Sequence, residues 1–131
     1  MANIRDYKDL NVWQRSMDLA VEIYKLVKLL PREETYALSD QMRRAVVSIS
    51  SNIAEGQQRG TDKAYVHFLQ IARGSNAELE SQLLLGIRLG YFTREQADVA
   101  LNLISETGKM LNNFIKNCLT VTDRRPLTAD C

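Results

Sequence analysis

Apolar residues recur every three or four positions in four long stretches of this chain, the spacing that gathers them on one side of an α-helix. Before Pro31, Leu10, Trp13, Met17, Ala20, Tyr24 and Val27 hold that spacing without a break and read as a seam between helices, predicting a first helix from Leu10 to Leu30. A second apolar set, Val12, Leu19, Ile23, Leu26 and Leu30, occupies the adjoining face. A helix packed on one side needs only one stripe, so the pair predicts burial on two sides, in a wide core or against another subunit.

Between Glu34 and Glu55, Leu38, Met42, Ala45, Val46, Ile49 and Ile53 share one helical face, with Gln41, Arg44, Ser48, Asn52 and Glu55 running beside it. The opposite face holds Val47, Ser50, Ser51 and Ala54, mostly small groups that admit a neighbouring backbone. Gly56 reads as the left-handed residue that ends this helix. Thr61 or Asp62 caps a third helix whose inner stripe is Tyr65, Phe68, Ala72, Ser75, Leu79 and Leu83 and which ends near Gly90. Thr93 with Gln96 forms a capping box for a fourth, with Ala97, Ala100, Leu101, Ile104, Leu111, Phe114, Ile115 and Cys118 on its buried face. The elements predict an all-α, antiparallel up-down four-helix bundle over residues 1–119, followed by a disordered polar tail over residues 120–131.

Composition narrows the function. Seventeen Lys and Arg stand against sixteen Asp and Glu, a net charge of +1, which excludes a polybasic binder but not a local basic patch. With no leader-like opening and no apolar run long enough for a membrane span, the sequence predicts a cytoplasmic protein with no membrane partner. The two cysteines, Cys118 and Cys131, read as one buried thiol and one in the tail.

Chemistry is hard to place. The single histidine, His67, has Ala64 three positions before it, so the Glu-x-x-His pairs of di-iron bundles are missing, and we expect no metal and no other cofactor. Nothing in the spacing joins His67 to Cys118 or Ser48 as base to nucleophile. The stretch from Gly56 to Gly60 lacks the preceding strand and the Gly-Lys-Ser/Thr ending of a phosphate loop. Glu55 and Glu78 are the acids to consider as a buried pair, with Glu55 better explained as a tie to Arg44, Arg59 or Arg73 than as a general acid. The expectation is therefore not an enzyme. Gln41, Ser48, Asn52 and Glu55, with Arg73, Ser75 and Asn76, read as an interior polar network that fixes register. Arg43, Arg44, Arg59 and Lys63 are the candidate nucleic-acid contacts.

The run from Gln41 through Arg43, Arg44, Ser48, Asn52 and Glu55 to Gly56, then Arg59, resembles the signature of the 23S rRNA-intervening sequence proteins. Leu10 to Gln14, Pro31 with Glu34, and Phe68 to Ser75 with Glu78 and Leu79 extend that likeness over about residues 7 to 119. The resemblance implies a bacterial four-helix bundle assembled as a ring-like homopentamer, without catalytic residues. A similar fold serves diversity-generating retroelements as the pentameric accessory variability determinant, a partner of reverse transcriptase with a basic surface. The resulting expectation is a homo-oligomeric binding module contacting RNA, DNA or a nucleic-acid-handling protein. The alternative is a protein–protein scaffold for a reverse transcriptase, without nucleic-acid contact.

Overall fold

The structure, a computed structural model, describes residues 6–121, with side chains described as far as Leu119. Four helices fill this span: α1 (Asn11–Val27), α2 (Leu38–Gln58), α3 (Asp62–Arg88) and α4 (Arg94–Val121). Short 3-10 turns at Tyr7–Asp9 and Arg32–Glu34 precede α1 and α2, and no strand occurs among the described residues. Each helix packs on its neighbours in sequence, α1 closes on α4, and the two diagonal pairs stay apart.

Contacts between neighbours run in opposite sequence directions. Ser48 of α2 meets Ser75 of α3, whereas Gly56, further along α2, faces Tyr65 and Phe68 near the start of α3. The Tyr65 ring packs at a tilt against Phe114 of α4, and Asn76, further along α3, donates to the Ile104 carbonyl. Arg15 of α1 bonds Glu106 of α4, and the later Val21 shares a groove with the earlier Val99. Rising numbers on one helix meet falling numbers on the next, so the bundle is antiparallel, as short connections require.

Local chemistry explains where the helices begin. Thr61 accepts a hydrogen bond from the Ala64 amide and starts α3. Thr93 and Gln96 exchange reciprocal bonds of 2.9 and 3.0 Å, the predicted capping box. Helix α2 starts later than the sequence suggested, because Pro31 opens a 3-10 turn before it. Glu34 then serves as a joint. One carboxylate oxygen accepts from the Leu38 amide, and the other accepts from the Tyr91 hydroxyl at 2.8 Å, pinning the α1–α2 and α3–α4 connections together. That bond is the main reason the Tyr91 phenol is pushed above its ordinary range.

Gly56 is corrected by the structure. It lies inside α2, and the left-handed position belongs to Gly60, at φ +86°. A Cβ on Gly56 would stand 2.8 Å from Phe68 Cβ and 3.2 Å from Tyr65 Cδ1, so the missing side chain lets α2 and α3 approach closely.

All six apolar positions assigned to the core of α2 are buried, as are Tyr65, Ala72, Leu79 and Leu83 of α3. Helix α1 differs from its reading. Its core face is the second stripe, Val12, Leu19, Ile23 and Leu26, joined by Ser16, whose hydroxyl donates to the Trp13 carbonyl and so satisfies itself. Of the stripe read as the seam, Leu10 and Val27 are buried and Trp13 and Ala20 half-buried, but Met17 and Tyr24 are 40% and 45% exposed.

Helix α4 continues past Leu119 to Val121, and the rest of the predicted tail lies outside the described residues. Cys118 is buried, but as half of a disulfide and not as the free thiol expected. The other cysteine, Cys131, lies outside the described residues. No helix among the described residues is long and apolar enough to cross a membrane.

Candidate interaction surfaces

The predicted polar network does not hold together as one unit. Ser48 and Ser75 hydroxyls lie 2.8 Å apart across the α2–α3 contact, and Asn52 Nδ2 donates to both the Ser48 carbonyl and its Oγ, at 2.7 and 2.9 Å. These three residues form a compact, half-buried lock next to the core. Gln41 is not in it: that side chain is exposed. Glu55 is exposed too and pairs with Arg59 one turn on, one of the three ties its position allowed. Arg73 donates instead to Asn112 of α4, and Asn76 to the Ile104 carbonyl. The α2 positions beside the core lie on a wheel wide enough to reach both a neighbour and water, which periodicity alone does not separate.

Glu78, like Glu55, is exposed, so the two acids do not form a buried pair. His67 is exposed, with its ring edge-on to Phe68. Among the described residues, no group of three or more His, Cys, Asp or Glu comes together to hold a metal.

The four candidate basic residues occupy two regions. Arg43 and Arg44 border a shallow groove with Tyr24, Asp40, Val47 and Ser48. There Arg44 lies 3.7 Å from Asp40, and Arg43 donates a long bond to the Thr35 carbonyl. Arg59 and Lys63 flank the α2–α3 turn, where the Arg59 guanidinium lies over the Phe68 ring, 5.0 Å from its centre. Fifteen positions along α2 separate Arg44 from Arg59, about 22 Å at the helical rise. Arg59 and Lys63 thus place two cations at the turn, one of them over the Phe68 ring and also paired with Glu55.

Sequence reasoning placed Met17 and Tyr24 in a seam and passed over Val21. Met17, Val21 and Tyr24 stay in solvent, with Val47 of α2 also 44% exposed on the far side of the Tyr24 groove. On the other flank, a groove between α1 and α4 sets Val21, Val99 and Leu103 among Asp18, Glu22 and Glu106. Arg15 bridges Glu106 at 2.7 Å and Asp18 at 3.0 Å, and these bonds, Glu106's first, favour its charged form further. Part of the signal for this face was present in the sequence: α1 carries two apolar stripes, and the bundle leaves Met17 and Tyr24 of one of them uncovered.

The four helices close into an antiparallel ring of neighbours, which defines an all-α helical-bundle protein. The chain belongs to the 23S rRNA-intervening sequence protein family, whose pattern it matches over residues 8–113. It is also similar to a crystal structure from Bacteroides thetaiotaomicron VPI-5482, described as a protein of unknown function from the S23 ribosomal protein family. The two share 36% identity over 80% of this chain and 98% of that one, with a TM-score of 0.74. No curated protein matches the chain.

Proposed function

We propose that this protein is a non-enzymatic binding module that assembles with copies of itself and contacts RNA. The observation that carries the reading is the outer face of α1: Met17, Val21 and Tyr24 remain exposed although the core behind them is closed by Leu19 and Ile23. Apolar side chains grouped on one face and rimmed by charges mark a protein-interaction surface more often than a bare one. The family resemblance implies a ring-like homopentamer, and that is the assembly we adopt. Repeating one subunit's Arg59 and Lys63 around such a ring multiplies a modest patch, which reconciles nucleic-acid contact with a net charge of +1.

Sedimentation velocity tests the assembly: a monomer at micromolar concentration removes it. Binding to RNA, followed by fluorescence anisotropy at low salt, is expected to fall steeply as salt is raised and to be lost in Arg59→Glu with Lys63→Glu. If an assembled protein binds neither RNA nor DNA at low salt, the nucleic-acid half is wrong. A scaffold role, for instance beside a reverse transcriptase, then takes its place.

A further inference from the structure

The groove between α1 and α4 is acidic at its centre and basic only at its edges. Val21 and Val99, each 55% exposed, line it with Leu103, and Asp18, Glu22 and Glu106 stand among them. From the edges Arg15 pairs with Glu106 and Asp18, and Lys25 pairs with Glu22. Those pairs are largely exposed and so worth little, and an incoming arginine can join or replace them. A matching occupant carries cations at its centre, an apolar side chain beside them and acids outside. The sequence beyond α4 runs in that order: Asp123, then Arg124 and Arg125, then Pro126 and Leu127, then Asp130. It lies past residue 113, where the match to the family pattern ends, so the family likeness assigns it nothing.

Reach decides whose groove this segment can enter. Helix α4 ends at Val121, eighteen positions past Leu103, the nearest apolar groove residue on that helix, or about 27 Å at the helical rise. The six residues from Val121 to Leu127 span at most about 22 Å when fully extended, so Leu127 cannot reach the groove of its own bundle. Pairing of Cys118 with Cys131, the only other cysteine in the chain, shortens that reach further. We infer that residues 123–127 are a docking arm for the α1–α4 groove of a second copy, with Arg124 and Arg125 meeting Asp18, Glu22 and Glu106 and Leu127 seated between Val21 and Val99. Pro126 limits the backbone freedom the arm gives up on docking. This rests on the self-assembly reading above and adds to it a contact made by a chain segment, separate from the packing of one bundle on another.

The test uses the full chain with a photoreactive benzophenone amino acid in place of Leu127. Irradiation is expected to give a covalent product of twice the chain mass on a reducing, denaturing gel. Mass spectrometry of its proteolytic peptides is expected to join the segment around position 127 to the stretches holding Val21 or Val99. In the same chain, Asp18→Arg with Glu22→Arg is expected to abolish that product, and adding Arg124→Glu with Arg125→Glu is expected to restore it, with helical circular dichroism unchanged throughout. Sedimentation of each protein is measured in parallel. An assembled protein whose cross-links fall on other surfaces, or only within one copy, overturns the arm while leaving self-assembly standing. So does a groove cross-link that survives the Asp18 and Glu22 reversal, or one that the exchange fails to restore. A monomeric wild type removes both readings.

Discussion

Gly56→Ala and Gly74→Ala make the same chemical change in two helices and should move stability in opposite directions. Each replaces the poorest ordinary helix former with the best, a gain of about 1 kcal/mol. At Gly74 nothing stands within 4 Å of the new methyl, so that gain is kept. At Gly56 the methyl would sit 2.8 Å from Phe68 Cβ, a backbone-anchored carbon that no rotamer change moves aside. Carbon contacts relax to about 3.5–4.0 Å, so α2 and α3 would have to part by up to about 1 Å. The Ser48–Ser75 bond, already 2.8 Å, lies on the same seam and would be stretched. Overpacking of this kind costs about 2 kcal/mol, leaving Gly56→Ala about 1 kcal/mol below wild type and about 2 kcal/mol below Gly74→Ala. For a domain of this size the gap is roughly 8 °C in Tm. Thermal melts by circular dichroism at one fixed protein concentration, with guanidinium titrations for the free energies, measure it. A Gly56→Ala protein as stable as Gly74→Ala would refute the close-approach reasoning.

Three further outcomes follow from the packing. The Tyr65 hydroxyl is buried without a hydrogen-bond partner among the described residues, and burial raises the phenol's pKa, so Tyr65→Phe should be no less stable than wild type near neutrality, and up to about 1 kcal/mol more stable. Because the folded pKa lies above the unfolded value of about 10, Tyr65's contribution is complete below that pH and is lost as pH rises beyond it, so the variant should resist alkaline unfolding better in paired melts from pH 8 to 11. Asn52→Ala should cost about 1 kcal/mol, and Ser75→Ala should cost less in that background than alone, a coupling that a double-mutant cycle reads directly. Phe92 is buried, with its ring in the space a Cβ on Gly86 would fill, and Phe92→Ala should lose about 3–5 kcal/mol in denaturant titration.

The architecture was largely legible in the sequence because its signals are local or periodic. Thr61, Thr93 and Gln96 cap helices through bonds spanning three residues, and the α2 core repeats at the helical period. Where the sequence misled, a distant contact had decided the matter. Gly56 looks like a helix end within Glu-Gly-Gln-Gln-Arg-Gly, and only the proximity of Phe68 reveals it as a point of close packing. Both stripes of α1 are apolar, so periodicity could not say which one faces the core and which leaves Met17 and Tyr24 in solvent. Ser16 sharpens the lesson: a polar residue lies fully buried on the true core face because its hydroxyl bonds one turn back. The candidate surface was less legible still. Arg43 and Arg59 share a charge but not a location, one lying on α2 and the other in the turn that follows it.

The order in which the bundle can form during synthesis follows from its connections. Only Arg59, Gly60 and Thr61 separate α2 from α3, so that hairpin closes a short loop and can assemble as soon as both helices have emerged. The first helix has no such freedom. One of its partners is α4, and the Arg15–Glu106 bond spans 91 positions. Until α4 has been made, Val12, Leu19 and Ile23 lie on a helix that lacks one of its partners, an apolar strip exposed on a nascent chain. The interval between making α1 and making α4 is therefore when this protein is most open to aggregation and to chaperones.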